Sequence, residues 1–156
     1  MVYSTMELDS HVDKKNCGSN YIVIYFTGKE CDVATYTDTY NTIKVVPIVQ
    51  AATSYYNADT RDTTILIINE AICMGETMDH TLVNPNQLRA YGMTVQNNPF
   101  AKAPIFIATE DHDFMLPLSS KGTILGVTIK NPTYKELQTF PHVTCLTAHE
   151  WDPQNV

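Results

Sequence analysis

Apolar positions along this chain come in short runs and do not keep the rhythm of a long amphipathic helix. The first, NYIVIYF (Asn20 to Phe26), is a continuous apolar and aromatic stretch closed by TGKE, where Gly28 marks a turn. TIKVVPIVQAATSYY (Thr42 to Tyr56) is a longer extended run. Pro47 removes a ladder donor from it, which predicts a sheet edge or a bulge there. NADTRD (Asn57 to Asp62) supplies a turn and TTILIINEAICM (Thr63 to Met74) returns, so the two runs read as a long hairpin.

The pattern then changes. Gly75 breaks the strand, Asn84-Pro85 marks a turn, and PNQLRAYG carries a helix start and a glycine stop, predicting a helix of about two turns over Pro85 to Tyr91. MTVQ, PIFIAT, DFMLPL and TILGVTI read as four further short strands, separated by the turns NNPFAKA, EDHD and SSKG. TYKELQTF (Thr133 to Phe140) opens with a capping Thr followed three residues later by Glu136, the signature of a second short helix. HEWDPQNV reads as a loose ending. The expected architecture is one mostly β domain over residues 1–156, packed as a closed barrel or bilobed sheet with one or two short helices.

Charge and composition narrow the function classes. The 156 residues carry 17 acidic and 10 basic side chains, a formal charge of -7. The densest positive spot is the pair Lys14-Lys15, too little for a phosphate-tracking surface, so nucleic acid is not an expected partner. No apolar stretch approaches the roughly 18 residues of a membrane helix, and no positive-then-apolar start is present. No membrane partner is expected, and the setting is read as cytoplasmic or within a virus-like particle. Cys17, Cys31, Cys73 and Cys145 form no C-x-x-C pair, so they read first as buried thiols, with a disulfide as the second reading.

Candidate chemistry concentrates in MELDSHVDKKNCG (Met6 to Gly18), where Asp9, Ser10, His11 and Asp13 follow an apolar Leu8. Three readings compete. Asp9-Ser10 can cap a turn. Asp9, His11 and Asp13 alternate, so on an extended strand they share one face and could ligate zinc or manganese, given a fourth group such as His80, His112 or Glu7. Or Asp9 is a catalytic carboxylate presented on a loop. His80, His112, His142 and His149 read as turn or surface residues, and Trp151 as packed against the body or a partner.

Read together, MELDSHVD and the later NEAICMGETMDHTLVNPNQLRAYG resemble the protease region of copia-type retrotransposon polyproteins, members of the retropepsin-like aspartic peptidases. That family has a strand ending in Asp-Ser/Thr-Gly-Ala, and later an Asn-Leu-Leu-Ser-Val-x-Gln-Leu segment leading to a short helix and Gly. Leu8 and Asp9 match the apolar position and the catalytic aspartate, and Ser10 the residue after it. His11 stands where the family has Gly, and Val12 where it has Ala. Leu82-Val83 fall on the core Leu pair, Gln87-Leu88 on Gln-Leu, and Gly92 on the closing Gly. The resemblance covers roughly residues 6 to 130, which leaves 131–156 as a C-terminal extension of the same domain, expected as an added arm or outer cover.

The resemblance implies a homodimer, with one Asp9 from each chain forming the acid–base dyad, Ser10 fixing its loop, and no cofactor. It implies an extended peptide as substrate, first of all the parent polyprotein. His11 adds an imidazole where the family keeps room with glycine, and an inactive or domesticated binding module is the alternative. The polar, Tyr-rich DVATYTDTYNTIKVV is the expected flap, with Tyr36, Thr37, Asp38, Thr39 and Tyr40 at its tip. Asp32 or Asp38 could supply a second acid within one chain, but neither has a Ser/Thr-Gly context.

Overall fold

The computed structural model describes residues 4–9, 15–33, 43–76, 78–98, 100–122 and 124–146. Its elements, in chain order, are β1 (Ser4–Leu8), β2 (Asn16–Gly18), β3 (Ile22–Val33), β4 (Ile43–Asn57), β5 (Asp62–Gly75) and β6 (Thr81–Val83). There follow α1 (Pro85–Ala90), β7 (Thr94–Gln96), β8 (Phe106–Ala108), β9 (Met115–Pro117), β10 (Ser119–Lys121), β11 (Ile124–Ile129), α2 (Tyr134–Thr139) and β12 (His142–Leu146). The fold is mostly β. A nine-stranded sheet runs β10-β11-β1-β6-β2-β5-β4-β3, with β12 joined to β5, and β7-β8-β9 form a small antiparallel sheet.

The long hairpin is β4–β5, in register from Asn57↔Asp62 to Ile48↔Ile72. Its turn is built by Asn57, whose side-chain oxygen accepts the N–H groups of Asp59 (2.9 Å) and Thr60 (3.3 Å). Pro47 lies one residue beyond the last β4–β5 pair, so the donor it lacks is not needed on that side. On its other side β5 carries β12 along Ile65 to Ile68 and β2 along Ile72 to Gly75, both parallel. A strand flanked on both sides and covered on both faces needs a nearly continuous apolar run, and Ile65, Leu66, Ile68 and Ala71 are all fully buried.

Several expectations are corrected. The main sheet does not close into a barrel. Away from the ladder, an isolated bridge joins β4 to the residue after β11, where Ser54 and Lys130 exchange both backbone hydrogen bonds (2.9 and 3.1 Å). TGKE is no hairpin turn. β3 runs through it, and the register slips between Phe26↔Val49 and Glu30↔Pro47 as Gly28 takes φ +84°, a bulge that an edge strand accommodates. SSKG is mostly strand, because Ser119 to Lys121 pair with β11 before Gly122 turns the chain. HVTCL, for which the sequence offers no element, forms β12 and joins the main sheet.

A second bulge lies in β5, where Asn69 and Glu70 together face Gln50. Glu70 takes φ +54° there, and its buried carboxylate meets Lys29 Nζ at 2.7 Å, joining the bulge of β3 to that of β5. The core gathers Met6, Val49, Leu66, Ile68 and Val83 from the main sheet, and Tyr21 just before β3, with Leu88, Val95, Ile107 and Leu116 from α1 and the small sheet. One continuous apolar cluster therefore spans both sheets.

Candidate active site

Alternation along β1 sets the direction of the segment that leads to Asp9. Met6 is buried, Leu8 packs against the core, and Thr5 and Glu7 take the other face, where Thr5 Oγ1 donates to Glu7 Oε1 at 3.1 Å. Tyr21 OH donates to Met6 Sδ at 3.0 Å and fixes the buried side. On one edge β1 pairs antiparallel with β11, and on the other it pairs parallel with β6, from Met6↔Thr81 to Leu8↔Val83. Gly126, opposite Glu7, allows the close approach: a Cβ there would stand 2.8 Å from the Met6 carbonyl oxygen.

The parallel ladder continues one step past β1. Asp9 N–H donates to the carbonyl of Val83 at 2.9 Å, which puts the half-buried Asp9 beside the last residue of β6. Immediately after Val83 comes the start of α1. Asn84 caps it, accepting Asn86 N–H at 2.8 Å, and Pro85 occupies the first turn. Gln87 and Leu88 face inward and are buried, and Gly92 follows the helix at φ +99°.

Lys15, on the far side of 10–14 in the chain, is held by α1. Lys15 N–H donates to Gln87 Oε1 at 3.2 Å, and the Lys15 carbonyl accepts Ile72 N–H at 3.0 Å. Segment 10–14 is thus tied at both ends, by Asp9 to the end of β6 and by Lys15 to α1. A buried polar network braces the neighbouring strands. Gly18 N–H donates to Thr81 Oγ1 (3.0 Å), which donates to Asn20 Oδ1 (2.6 Å), while Asn20 Nδ2 donates to the Thr5 carbonyl (2.8 Å). Thr53 Oγ1 adds β4 by donating to the Asn20 carbonyl at 2.8 Å.

Sequence reasoning missed three of these residues. Lys15 reads only as half of the densest positive spot but is fully buried, and Gln87 and Thr81 are buried polar groups whose partners lie more than 60 residues away. Only the place of Gln87 in the family-like segment pointed to any of them.

Of the expected site residues, Asp9 stands as described. Ser10, His11, Asp13 and the flap tip Tyr36, Thr37, Asp38, Thr39 and Tyr40 lie outside the described residues, as do His149 and Trp151. The flanks of the expected flap are the paired strands β3 and β4. Asp32 is exposed on β3 and accepts Val45 N–H at 3.1 Å, which occupies it in the hairpin. Among the described residues no three metal-ligating side chains gather. His80 is half-buried and pairs with Asp79 at 2.8 Å, whereas His112 and His142 are exposed. Cys17 is buried and Cys31 and Cys73 are half-buried, none of the three in a disulfide, and the Cys145 side chain lies outside the described ones.

Comparison of the chain with protein-family models, with curated proteins and with solved structures gives no match. The functional reading therefore stands on these residues and their geometry.

Proposed function

We propose that this chain is a retropepsin-like aspartic endopeptidase that works as a homodimer, with Asp9 of each copy supplying half of the catalytic dyad. One observation carries the reading. The two segments on which the resemblance rests, distant in sequence, lie side by side, joined by the parallel β1–β6 pair and the Asp9–Val83 hydrogen bond.

Two carboxylates a few ångströms apart cannot both ionise at low cost, so such a dyad holds one proton between them. The ionised partner takes a proton from water as that water attacks the scissile carbonyl, and the protonated partner gives its proton to the amide. Ser10 would fix the loop that presents the carboxylate. The substrate is an extended, largely apolar peptide held by strand-like main-chain bonds, in the first place the parent polyprotein, in the cytoplasm or a virus-like particle. Among the described residues no helix is long and apolar enough to cross a membrane.

The test is cleavage of a peptide library by the wild type, Asp9→Asn and His11→Gly over a range of pH, with and without chelator. Loss of cleavage in Asp9→Asn, with no effect of chelator, is the expected result. Cleavage that survives Asp9→Asn removes this residue from the mechanism, and cleavage abolished by chelator transfers the chemistry to a metal. An inert wild type beside an active His11→Gly identifies a peptidase scaffold now used for binding.

A further inference from the structure

Cys17 on β2 and Cys73 on β5 are register partners in neighbouring parallel strands. Paired strands lie about 4.8 Å apart, inside the range of roughly 4.4–6.8 Å that a disulfide spans between Cα atoms. Cys17 is 2% exposed and Cys73 is half-buried, so one thiol of the pair is screened by the core and the other is open to small reagents. Both are free, and the two side chains are in hydrogen-bonding contact, with the Cys17 S–H donating to the Cys73 sulfur.

That contact makes the two sulfurs unequal. The bond from Cys17 brings the Cys73 thiol down to about 6; burial works against this, and the Gly75 N–H adds to it. Cys17 is held protonated, first by donating to Cys73, then by burial and by the negative charge at Cys73. A half-buried thiolate beside a buried protonated thiol is the arrangement of an attacking and a resolving cysteine.

We infer that Cys17 and Cys73 form a reversible dithiol–disulfide site whose oxidant is a hydroperoxide. The Cys73 thiolate attacks the outer peroxide oxygen, the O–O bond breaks, and a sulfenic acid forms as hydroxide or alkoxide leaves. The Cys17 sulfur then displaces the sulfenic oxygen, its proton leaving with that oxygen as water, and the S–S bond forms. The peroxide is reduced by two electrons and the two thiols are oxidised by the same two. The cross-link ties β2 to β5 two residues after Lys15, at the root of segment 10–14. It does not depend on Asp9 being catalytic.

The experiment treats the reduced full-length chain with hydrogen peroxide, from substoichiometric to several-fold excess, followed by alkylation and peptide mapping without reduction. The expected first product is the Cys17–Cys73 linked peptide pair. Both thiols should disappear from alkylation together, about tenfold or more ahead of Cys31, and return with dithiothreitol. Cys17→Ser should stop at a dimedone-reactive sulfenic acid on Cys73. Should that variant not fold, the wild-type map decides alone. A first cross-link through Cys31 or Cys145 overturns the assignment, as does Cys73 advancing to sulfinic acid while Cys17 stays reduced.

Discussion

Gly18 shows how tightly the strands beneath the candidate site are packed. A Cβ at this position would run into the carbonyl oxygens of His80 and Met78, both backbone atoms that cannot swing aside. Gly18→Ala should therefore cost about 2–3 kcal/mol, read as a lower denaturation midpoint at unchanged slope, although alanine suits a strand no worse than glycine. Cys73 makes a second residue-scale prediction. Its thiol is held near 6, so iodoacetamide alkylation should keep its full rate down to neutral pH and fall by half only near pH 6. An ordinary thiol loses its rate well above neutrality, so a Cys73 profile with its midpoint near 8.5 would contradict the Cys17 contact. At this scale the sequence was legible where a residue's role is local, as with Leu8 leading into Asp9. It was illegible for Lys15, whose burial is decided by β5 and α1 and leaves no mark on its neighbours in the chain.

Elements with their own terminal chemistry were the most legible. Asn84-Pro85 starts α1 and Gly92 follows it, and Thr133 and Glu136 form a complete capping box on α2, each as expected from the residues alone. The box predicts a response to acid. Burial raises the Glu136 carboxyl, but the N–H of Thr133 and the ammonium of Lys130 outweigh it and hold the group below the usual carboxylate range. With the folded value depressed, its contribution is whole above the unfolded carboxylate range and is lost as pH falls through the folded one. Glu136→Gln should thus lower stability by no more than about 1 kcal/mol at neutral pH and by nothing measurable near pH 2, compared with the wild type in urea titrations at both. The bulges resisted reading for a definite reason. A glycine at positive φ serves a hairpin turn and a bulge equally well, and only the partner strand decides which forms. Gly28 became a bulge because β4, arriving from the far side of 34–42, pairs with both flanks of it. Glu70 offers no signal at all, since its φ of +54° follows from the two-against-one register with Gln50.

For the whole molecule, the class mostly β followed from many short apolar runs between turn residues. What could not be read is which strands become neighbours across long separations, because one alternating pattern suits a closed barrel and an open sheet alike. β12 is a case in point: HVTCL gives no hint that it lies parallel to Ile65 through Ile68. The proposed activity carries a prediction at this scale. Sedimentation over a concentration series should show a reversible monomer–dimer equilibrium, and Asp9→Asn, which removes the like charge, should not weaken it. A particle that stays monomeric at high concentration would refute the paired-carboxylate mechanism.

The parallel contact between β1 and β6 also bears on time. Joining Leu8 to Val83 closes a loop of most of the chain up to that point, whereas β4 and β5 meet across one short turn at residues 58–61. Closing the longer loop costs more chain entropy before any contact repays it, and pairings of high sequence separation slow folding. Pulse-labelled hydrogen exchange during refolding should find the amides of Leu66 and Ile68 protected first and those of Leu8 and Asp9 last, with Ile65, whose N–H donates to the Pro141 carbonyl, following only when β12 docks. Simultaneous protection would mean that β1 docks as part of the initial collapse. With the expected order, a nascent or refolding chain passes through a stage that already has its central hairpin but has not yet assembled the surroundings of Asp9.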